Sequence, residues 1–308
     1  MKKKYIALVG CSIVATFAGT LIPLIVSSVL HESHAFIIAH RGYSSKYYEN
    51  TKQAFEEAGK NSAYWGIETD LYKTKEGRYV CSHDIDPFGK DQPRIIDLTY
   101  AELQNYTIDY SHNLYGLKPE ESELKGLATF EEYLNICNQY NKVPIVEIKQ
   151  ENFDQADLNT ILNEIHDTTK YPTFMGNNHP WIISFNIHVL SFVNIYYEIN
   201  TPPYSINQED RCGIQLLDAY DRTLANYFED NVKILFPNIH DVAISLWYPL
   251  IDFKSIQSHH FSEHYVGLFF MNDAIPADDN IITAMTYAEK GVNFITSDFP
   301  YILENYGQ

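Results

Sequence analysis

Ionisable residues cluster in the segment from Phe36 to Asp84, which holds two histidines, several carboxylates and an arginine within 49 residues. The groups in question are His40-Arg41-Gly42, Glu49-Asn50-Thr51, Glu68-Thr69-Asp70 and His83-Asp84. Several of them fall where predicted β-strands end, which is where parallel α/β folds hold their ligands. A strand interior would not tolerate so many ionisable groups without partners or a metal. The spacing therefore predicts a binding or catalytic site.

Three carboxylates predict a metal site. Glu68 and Asp70 are two residues apart on a predicted strand and should face one cavity, as should Glu147 and Lys149 on the next strand. The carboxylates Glu68, Asp70 and Glu147 offer the oxygen ligands that Ca²⁺ and Mg²⁺ prefer, without the imidazole or thiolate majority typical of zinc. We therefore predict one divalent cation, Ca²⁺ or Mg²⁺. The alternative is a salt-bridge network with Arg41 and Lys149 that holds no metal.

Two histidines and two cationic side chains complete this group. His40 and His83 can exchange protons, although two structural histidines at strand ends would give the same sequence pattern. Arg41 and Lys149 are suited to binding a phosphate. A metal, two cationic side chains and two histidines fit phosphodiester cleavage, because the cations offset charge on the phosphoryl oxygens while the histidines move protons.

The roles of two neighbouring polar residues stay open. Asn50 precedes a predicted helix, so its side chain could simply cap that helix. Glu49 could act directly at the site or orient a neighbouring side chain.

The chain after residue 35 alternates strand and helix patterns. Apolar runs predict eight strands, at Phe36–His40, Gly66–Tyr72, Pro144–Lys149, Trp181–Phe185, Gly213–Leu217, Val242–Leu246, Val266–Met271 and Asn293–Thr296. Helical periodicity appears at Thr51–Lys60, Thr129–Tyr140, Phe153–Thr169, Ile187–Ile199, Asp221–Glu229, Ile251–His260 and Asp278–Lys290. Eight strands separated by helices predict a (β/α)8 TIM barrel that forms one domain over residues 36–308.

Two departures from this alternation follow the second predicted strand. A turn at Gly77 precedes an extended segment, Arg78–His83, which predicts an added hairpin arm. Residues 85–126 form a long irregular insertion with one helix predicted near Tyr100–Asn105. It should lie on the catalytic face, where long loops often act as lids or caps.

Residues 1–35 form a separate N-terminal segment. Lys2, Lys3 and Lys4 precede an uncharged, mostly apolar run from Tyr5 to Leu30, long enough as a helix to cross a bilayer core of ~30 Å. The lysines should stay in the cytoplasm, so we expect a single-pass membrane anchor with the barrel outside the cell membrane. The alternatives are secretion after signal cleavage near Ser33-His34-Ala35 and lipoprotein processing at Leu8-Val9-Gly10-Cys11.

Charge and cysteine content exclude some classes of partner and site. The net charge of −18 would repel nucleic acid and anionic lipid headgroups, so neither is expected as a general partner. The four cysteines, Cys11, Cys81, Cys137 and Cys212, lack metal-like spacing and predict buried thiols. Likewise, His259, His260 and His264 precede the seventh predicted strand, so they should be exposed histidines on the opposite face.

The motifs of this chain strongly resemble those of the glycerophosphodiester phosphodiesterase family. The resemblance begins with Ala39-His40-Arg41-Gly42, followed after six residues by Glu49-Asn50-Thr51 and then Ala54-Phe55. It continues through Gly66-Ile67-Glu68-Thr69-Asp70, Thr74, Gly77, Val80 and His83-Asp84. Further matches are Leu127–Glu132, Val146–Lys149, Ser184-Phe185 and Ser297–Pro300, so the resemblance spans Phe36 to Tyr301.

The resemblance implies a role for each predicted site residue. His40 and His83 would be the acid/base pair, Arg41 and Lys149 the phosphate contacts, and the cation ligands would be Glu68, Asp70 and Glu147. The implied reaction hydrolyses a glycerophosphodiester to glycerol 3-phosphate and an alcohol. The first nucleophile is left open between water and the substrate's own 2-hydroxyl.

Three departures from the family pattern leave the substrate open. Residues 85–90 replace a Leu-x-Arg-Thr-Thr run, Phe269-Phe270-Met271-Asn272 replaces Trp-Thr-x-Asn, and Tyr48 replaces a proline. None removes a catalytic group, but each could reshape the pocket. The predicted membrane anchor makes a phospholipase C/D-like or teichoic-acid-directed phosphodiesterase at the cell surface one alternative. The altered pocket residues make a non-catalytic surface binding barrel another.

Overall fold

The computed structural model describes residues 35–111, 113–119, 124–149, 153–199, 206–220, 223–251, 264–270 and 278–301. Within these residues the strands are β1 (Phe36–Ala39), β2 (Gly66–Lys73), β3 (Tyr79–Cys81), β4 (Val143–Ile148), β5 (Trp181–Ser184), β6 (Gly213–Asp218), β7 (Val242–Trp247), β8 (Tyr265–Phe269) and β9 (Phe294–Ser297). The helices are α1 (Lys52–Lys60), α2 (Tyr100–Leu103), α3 (Phe130–Tyr140), α4 (Gln155–Ile165), α5 (Ile187–Ile199), α6 (Thr223–Leu235) and α7 (Ile281–Ala288).

Eight parallel strands close into a barrel. The sheet runs β1-β9-β8-β7-β6-β5-β4-β2, and β1 also pairs with β2, which completes the ring. β3 lies outside the ring and pairs antiparallel with β2, where Tyr72 faces Val80. The predicted (β/α)8 barrel and the hairpin arm after Gly77 are therefore confirmed.

The strand runs are apolar because both faces of each barrel strand are covered. Inside the ring, Ile38, Ile145, Ile183 and Phe294 belong to one buried cluster, while a larger cluster lies between the strands and the surrounding helices. Cys81, Cys137 and Cys212 are buried free thiols, as predicted, and Cys11 lies outside the described residues.

The helix boundaries differ from the sequence prediction in places. Thr51 caps α1, since its hydroxyl accepts a hydrogen bond from Ala54 N at 3.2 Å. The prediction that α4 extends to Thr169 was wrong, because Asp167 accepts the backbone N–H of Thr169 and turns the chain after Ile165. The predicted helix Ile251–His260 lies, except for Ile251, outside the described residues.

The insertion packs on its own small core above the barrel. Phe88, Ile95, Leu103 and Leu124 are buried together with residues of the hairpin arm. The predicted helix in this segment is present as α2, which is a single turn with a Thr99–Glu102 capping box.

The predicted membrane anchor, residues 1–35, lies outside the described residues except for Ala35. Among the helices that the structure describes, none combines the length and apolar content needed to cross a bilayer. His259 and His260 also lie outside the described residues.

Candidate active site

A cavity of about 600 Å³ opens at the carboxyl ends of the barrel strands. Six of the seven predicted site residues line it: His40, Arg41, Glu68, His83, Glu147 and Lys149. The seventh, Asp70, lies behind them with 1% of its surface exposed. The structure thus brings the whole predicted set to one place. Tyr48, Phe269 and Phe270, from two of the three departures from the family pattern, also line the cavity.

The loop after β1 folds back on itself to place these groups. Arg41 and Asn50 adopt left-handed backbone conformations with φ of 56° and 54°, and Asn50 N donates to Arg41 O at 3.0 Å. Gly42, with φ of 84°, passes so close to α1 that a Cβ atom would lie 2.7 Å from the backbone of Ala54. A glycine is therefore required after the His-Arg pair.

Glu68, Asp70 and Glu147 form a buried carboxylate cluster. One oxygen from each lies within 4.8 Å of the others, so the three side chains could ligate one ion. Burial and the charges of Asp70 and Glu147 raise the pKa of Glu68 well above its ordinary value. Burial also raises the pKa of Asp70, but Lys149 and Arg41 outweigh it and lower that pKa overall.

The carboxylate cluster fits a divalent cation. Glu68 Oε2 accepts a hydrogen bond from Arg41 N at 2.8 Å, whereas Glu68 Oε1 is buried without a hydrogen-bond partner. Such an orphaned acceptor is costly unless something positive binds it. With Glu49 included, four carboxylates face two cationic groups, Arg41 and Lys149, which leaves an excess of negative charge for a cation to balance. The predicted salt bridges exist, but they leave Glu68 Oε1 without a hydrogen-bond partner.

Asn50 orients Asp70 and does not cap α1. Its Nδ2 donates to Asp70 Oδ2 at 2.9 Å, and its Oδ1 accepts from the Thr69 hydroxyl at 2.8 Å. The suggested capping role was therefore wrong, since Thr51 caps the helix instead. Ligand carboxylates commonly have such neighbours, which fix their orientation.

Arg41 and Lys149 lie beside the carboxylates at the cavity wall. Arg41 Nη1 contacts both oxygens of Glu49, at 2.9 and 3.1 Å, so Glu49 orients the guanidinium. Lys149 Nζ lies 3.3 Å from Asp70 Oδ1 and 3.7 Å from Glu147 Oε1. Burial opposes the charge of each cation, but the surrounding carboxylates raise the pKa of both.

Each cavity histidine is paired with a carboxylate. His40 Nδ1 lies 2.8 Å from Asp298 Oδ1, and His83 Nδ1 lies 2.9 Å from Asp84 Oδ1. Burial would raise the pKa of Asp298, but His40, Tyr115 and Ser44 lower it to about 2. An ionised carboxylate can only accept, so His40 carries a proton on Nδ1 and leaves Nε2 for a substrate.

Asp298 and its other contacts were missed from the sequence. Asp298 Oδ1 accepts from the Ser44 hydroxyl at 2.7 Å, and Oδ2 accepts from the Tyr115 hydroxyl of the insertion. The available signal was the Ser297-Asp298 pair at the end of the last predicted strand, which is a position facing the mouth. Tyr115 confirms that the insertion lies on the catalytic face.

Comparison with known protein families identifies the family to which this chain belongs. The model of the glycerophosphoryl diester phosphodiesterase family matches residues 40–211, which include all seven predicted site residues. The chain belongs to this family. β6 to β9 and Asp298 lie beyond the matched region, so the contact of Asp298 with His40 is seen only in the structure.

Curated members of the family match parts of the chain. A glycerophosphodiester phosphodiesterase of Bacillus altitudinis is 36% identical over 116 residues, 37% of this chain and 44% of that protein. Glycerophosphodiester phosphodiesterase 1 of Mus musculus is 30% identical over 144 residues, 46% of this chain and 40% of that protein. The chain thus spans less than half the length of these two relatives.

Solved structures share the fold over most of the chain. A phosphodiesterase of Oleispira antarctica, solved with the product sn-glycerol-3-phosphate, aligns with a TM-score of 0.65 and 18% identity. The alignment covers 88% of this chain and 96% of that one. A glycerophosphodiester phosphodiesterase of Thermotoga maritima aligns with a TM-score of 0.59 and 19% identity, again over 88% and 96%. These likenesses support the barrel assignment over most of the chain.

Proposed function

We propose that this chain hydrolyses a glycerophosphodiester to glycerol 3-phosphate and an alcohol with the help of one divalent cation. The observation that carries the proposal is the placement of two carboxylate-paired histidines, His40 and His83, around the carboxylate cluster in one cavity. Membership of the family and the sn-glycerol-3-phosphate bound to the Oleispira antarctica neighbour support it.

The phosphate would lie between the cationic side chains and the carboxylate cluster. Arg41 and Lys149 line the cavity and are held by their carboxylate partners, so they can offset phosphoryl charge without rearrangement. Glu49 keeps the Arg41 guanidinium in place through two contacts. Binding would thus use side chains that are already oriented.

The histidines would move the two protons that hydrolysis requires. One takes the proton of the attacking oxygen, and the other protonates the leaving alkoxide. Attack by water gives glycerol 3-phosphate directly. Attack by the substrate's own 2-hydroxyl gives a cyclic phosphate, which water then opens with a second pair of proton transfers. Asp298 holds His40 with Nδ1 protonated, and Asp84 contacts His83 in the same way. These carboxylates also stabilise the imidazolium that forms when a histidine accepts a proton.

Glu68, Asp70 and Glu147 would hold the cation, and their all-oxygen donor set fits Ca²⁺ or Mg²⁺. A bound cation would supply additional stabilisation of negative charge on the phosphate. The unpartnered Glu68 Oε1 is the oxygen that gains most from its presence.

Turnover of defined diesters tests the proposal. The purified full chain should release glycerol 3-phosphate from glycerophosphocholine or related diesters, and EDTA should stop the release until Ca²⁺ or Mg²⁺ is restored. His40→Ala and His83→Ala should each lose most activity. Normal turnover in both variants would refute the histidine mechanism, whereas binding without turnover would favour the non-catalytic barrel.

We also propose that residues 1–35 anchor the barrel at the outer face of the cell membrane. The apolar run before β1 supports this, and accessibility of the barrel to protease on intact cells would test it. Phe36 begins β1, so an anchor joined there would adjoin the face of the barrel opposite the cavity. The cavity would then open away from the bilayer.

This orientation favours soluble or wall-polymer diesters over lipids of the same bilayer. A teichoic-acid-directed phosphodiesterase therefore remains the second candidate, ahead of a phospholipase C/D-like enzyme. A panel of glycerophosphodiesters, lipoteichoic acid and phospholipid vesicles would separate them. Activity restricted to the vesicles would refute the orientation.

A further inference from the structure

The insertion contributes one side chain to the His40–Asp298 pair. Tyr115 lies in the insertion, and its hydroxyl donates to Asp298 Oδ2, while His40 and Ser44 contact Oδ1. The partners are 183 residues apart in sequence, so this contact joins the insertion to the last barrel strand. The Tyr115 ring also packs edge-on against Phe299, with ring centroids 5.7 Å apart.

We propose that Tyr115 is a positioning residue that fixes the Asp298 carboxylate and, through it, the His40 ring. This inference rests on the proposed function for its meaning in catalysis. Donors on Oδ1 alone leave the carboxylate free to rotate about its bond to Cβ, whereas the Tyr115 hydroxyl adds a donor on Oδ2 and fixes the carboxylate plane. Since His40 binds the same carboxylate, its ring direction follows that plane.

The loop around Tyr115 is built to hold this contact. Asn113 Oδ1 accepts from Tyr115 N at 3.1 Å, and Asn113 Nδ2 donates to Leu117 O at 2.7 Å. The insertion is tied to the first βα loop as well, because the Tyr48 hydroxyl donates to Asp109 O at 3.2 Å. Tyr115 therefore lies in a loop whose conformation is held by several hydrogen bonds.

The backbone around Asp298 is held independently of Tyr115. Asp298 N donates to Asp279 Oδ2 at 3.1 Å, and Asp298 O accepts from Tyr64 Oη at 3.3 Å. Loss of the Tyr115 hydroxyl should thus change the carboxylate orientation without displacing the strand end. A change in activity or in the His40 signal can therefore be assigned to the orientation of the Asp298 carboxylate and not to movement of the strand end.

Tyr115→Phe removes the hydroxyl and keeps the ring against Phe299. We expect kcat to fall about two- to tenfold, which is the worth of one hydrogen bond, with KM changed less than about twofold. The Nδ1–H proton signal of His40, assigned with a His40→Gln variant, should shift or broaden. Tyr110→Phe is the matched control, because Tyr110 is an exposed tyrosine of the same insertion and should change neither readout.

The fall in kcat caused by Tyr115→Phe should require the Asp298 side chain. In an Asp298→Ala background, adding Tyr115→Phe should change kcat less than twofold. Asp298→Leu, which also lacks an acceptor, replaces this background if the alanine variant fails to fold. An unchanged His40 signal in Tyr115→Phe would overturn the inference, as would a Tyr115 effect of full size without Asp298. If the wild type cleaves no diester, the proposed function fails, while the His40 signal still decides the role of Tyr115.

Discussion

A hydrogen bond between His40 and Asp298 connects the first and the last strand of the barrel. His40 follows β1 and Asp298 follows β9, and the contact of 2.8 Å crosses the seam where the ring closes. The barrel must therefore close before one of the two proposed proton-transfer groups is oriented. A site assembled from the first half of the sequence alone would lack this partner.

The first prediction concerns this carboxylate. Asp298→Asn keeps the size of the side chain but can donate to His40 and so select the wrong tautomer. We expect kcat for a glycerophosphodiester to fall at least about tenfold, with a smaller change in KM. Steady-state kinetics would measure this, and a variant with wild-type kcat would show that the pair is structural only.

Glu49 is expected to act on substrate binding through Arg41. Glu49→Gln removes the charge that holds the guanidinium, so KM should rise several-fold while kcat changes little. Glu56→Gln on the exposed side of α1 is the control, since Glu56 lies 3.9 Å from Lys60 and is not among the residues that line the cavity. A fall in kcat with unchanged KM would instead assign Glu49 a direct part in the reaction.

Glu68 is expected to determine whether a divalent cation stabilises the folded protein. Glu68→Gln replaces a buried carboxyl, whose Oε1 has no hydrogen-bond partner, by a neutral amide of the same size, so the metal-free protein should be at least as stable as the wild type. Ca²⁺ or Mg²⁺ should raise the melting temperature of the wild type and have little effect on the variant. Thermal unfolding with EDTA and with each ion would measure this without reference to turnover.

Glu131→Gln provides the comparison for the metal experiment. Glu131 lies on α3, about half exposed, and pairs only with Lys170 among the described residues. Its substitution should leave the metal-induced shift unchanged. An equal shift in Glu68→Gln and the wild type would show that the ion binds elsewhere.

The barrel and most of the site could be predicted from the sequence for physical reasons. Strands buried on both faces appear as continuous apolar runs, and residues two apart on a strand share a face, which placed Glu68 with Asp70. The ends of parallel strands converge, so ligands from β2 and β4 could be combined. These rules need only the spacing of residues along each strand and the parallel direction of the barrel strands.

The remaining parts of the site depend on tertiary contacts without a local pattern. Asn50 has the sequence context of a helix cap, yet its side chain binds Asp70 because the left-handed loop turns it inward. Tyr115 belongs to an irregular insertion whose path cannot be derived from hydrophobic periodicity. Asp298 belongs to the Ser297–Pro300 motif after the last strand, but nothing in the sequence pairs it with His40.

The last prediction uses pH to measure what the His40–Asp298 pair contributes to stability. The pKa of Asp298 is about 2 in the folded chain and about 3.9 when unfolded, so its ionisation stabilises the fold by about 2 kcal/mol above pH 4. Because the folded pKa is the lower one, this stabilisation is lost as pH falls from about 4 to about 2. The free energy of unfolding of the wild type and of Asp298→Ala should therefore differ by about 1 kcal/mol less at pH 3 than at pH 5.

Denaturant unfolding in EDTA would measure this difference. Asp91→Ala is the control, since Asp91 is exposed and its substitution should give the same small difference at both pH values. A difference for Asp298→Ala that stays constant from pH 5 to pH 3 would mean that the carboxylate is not held ionised by its partners. Asp298 would then fill space at the strand end, and the orientation of His40 would have to come from elsewhere.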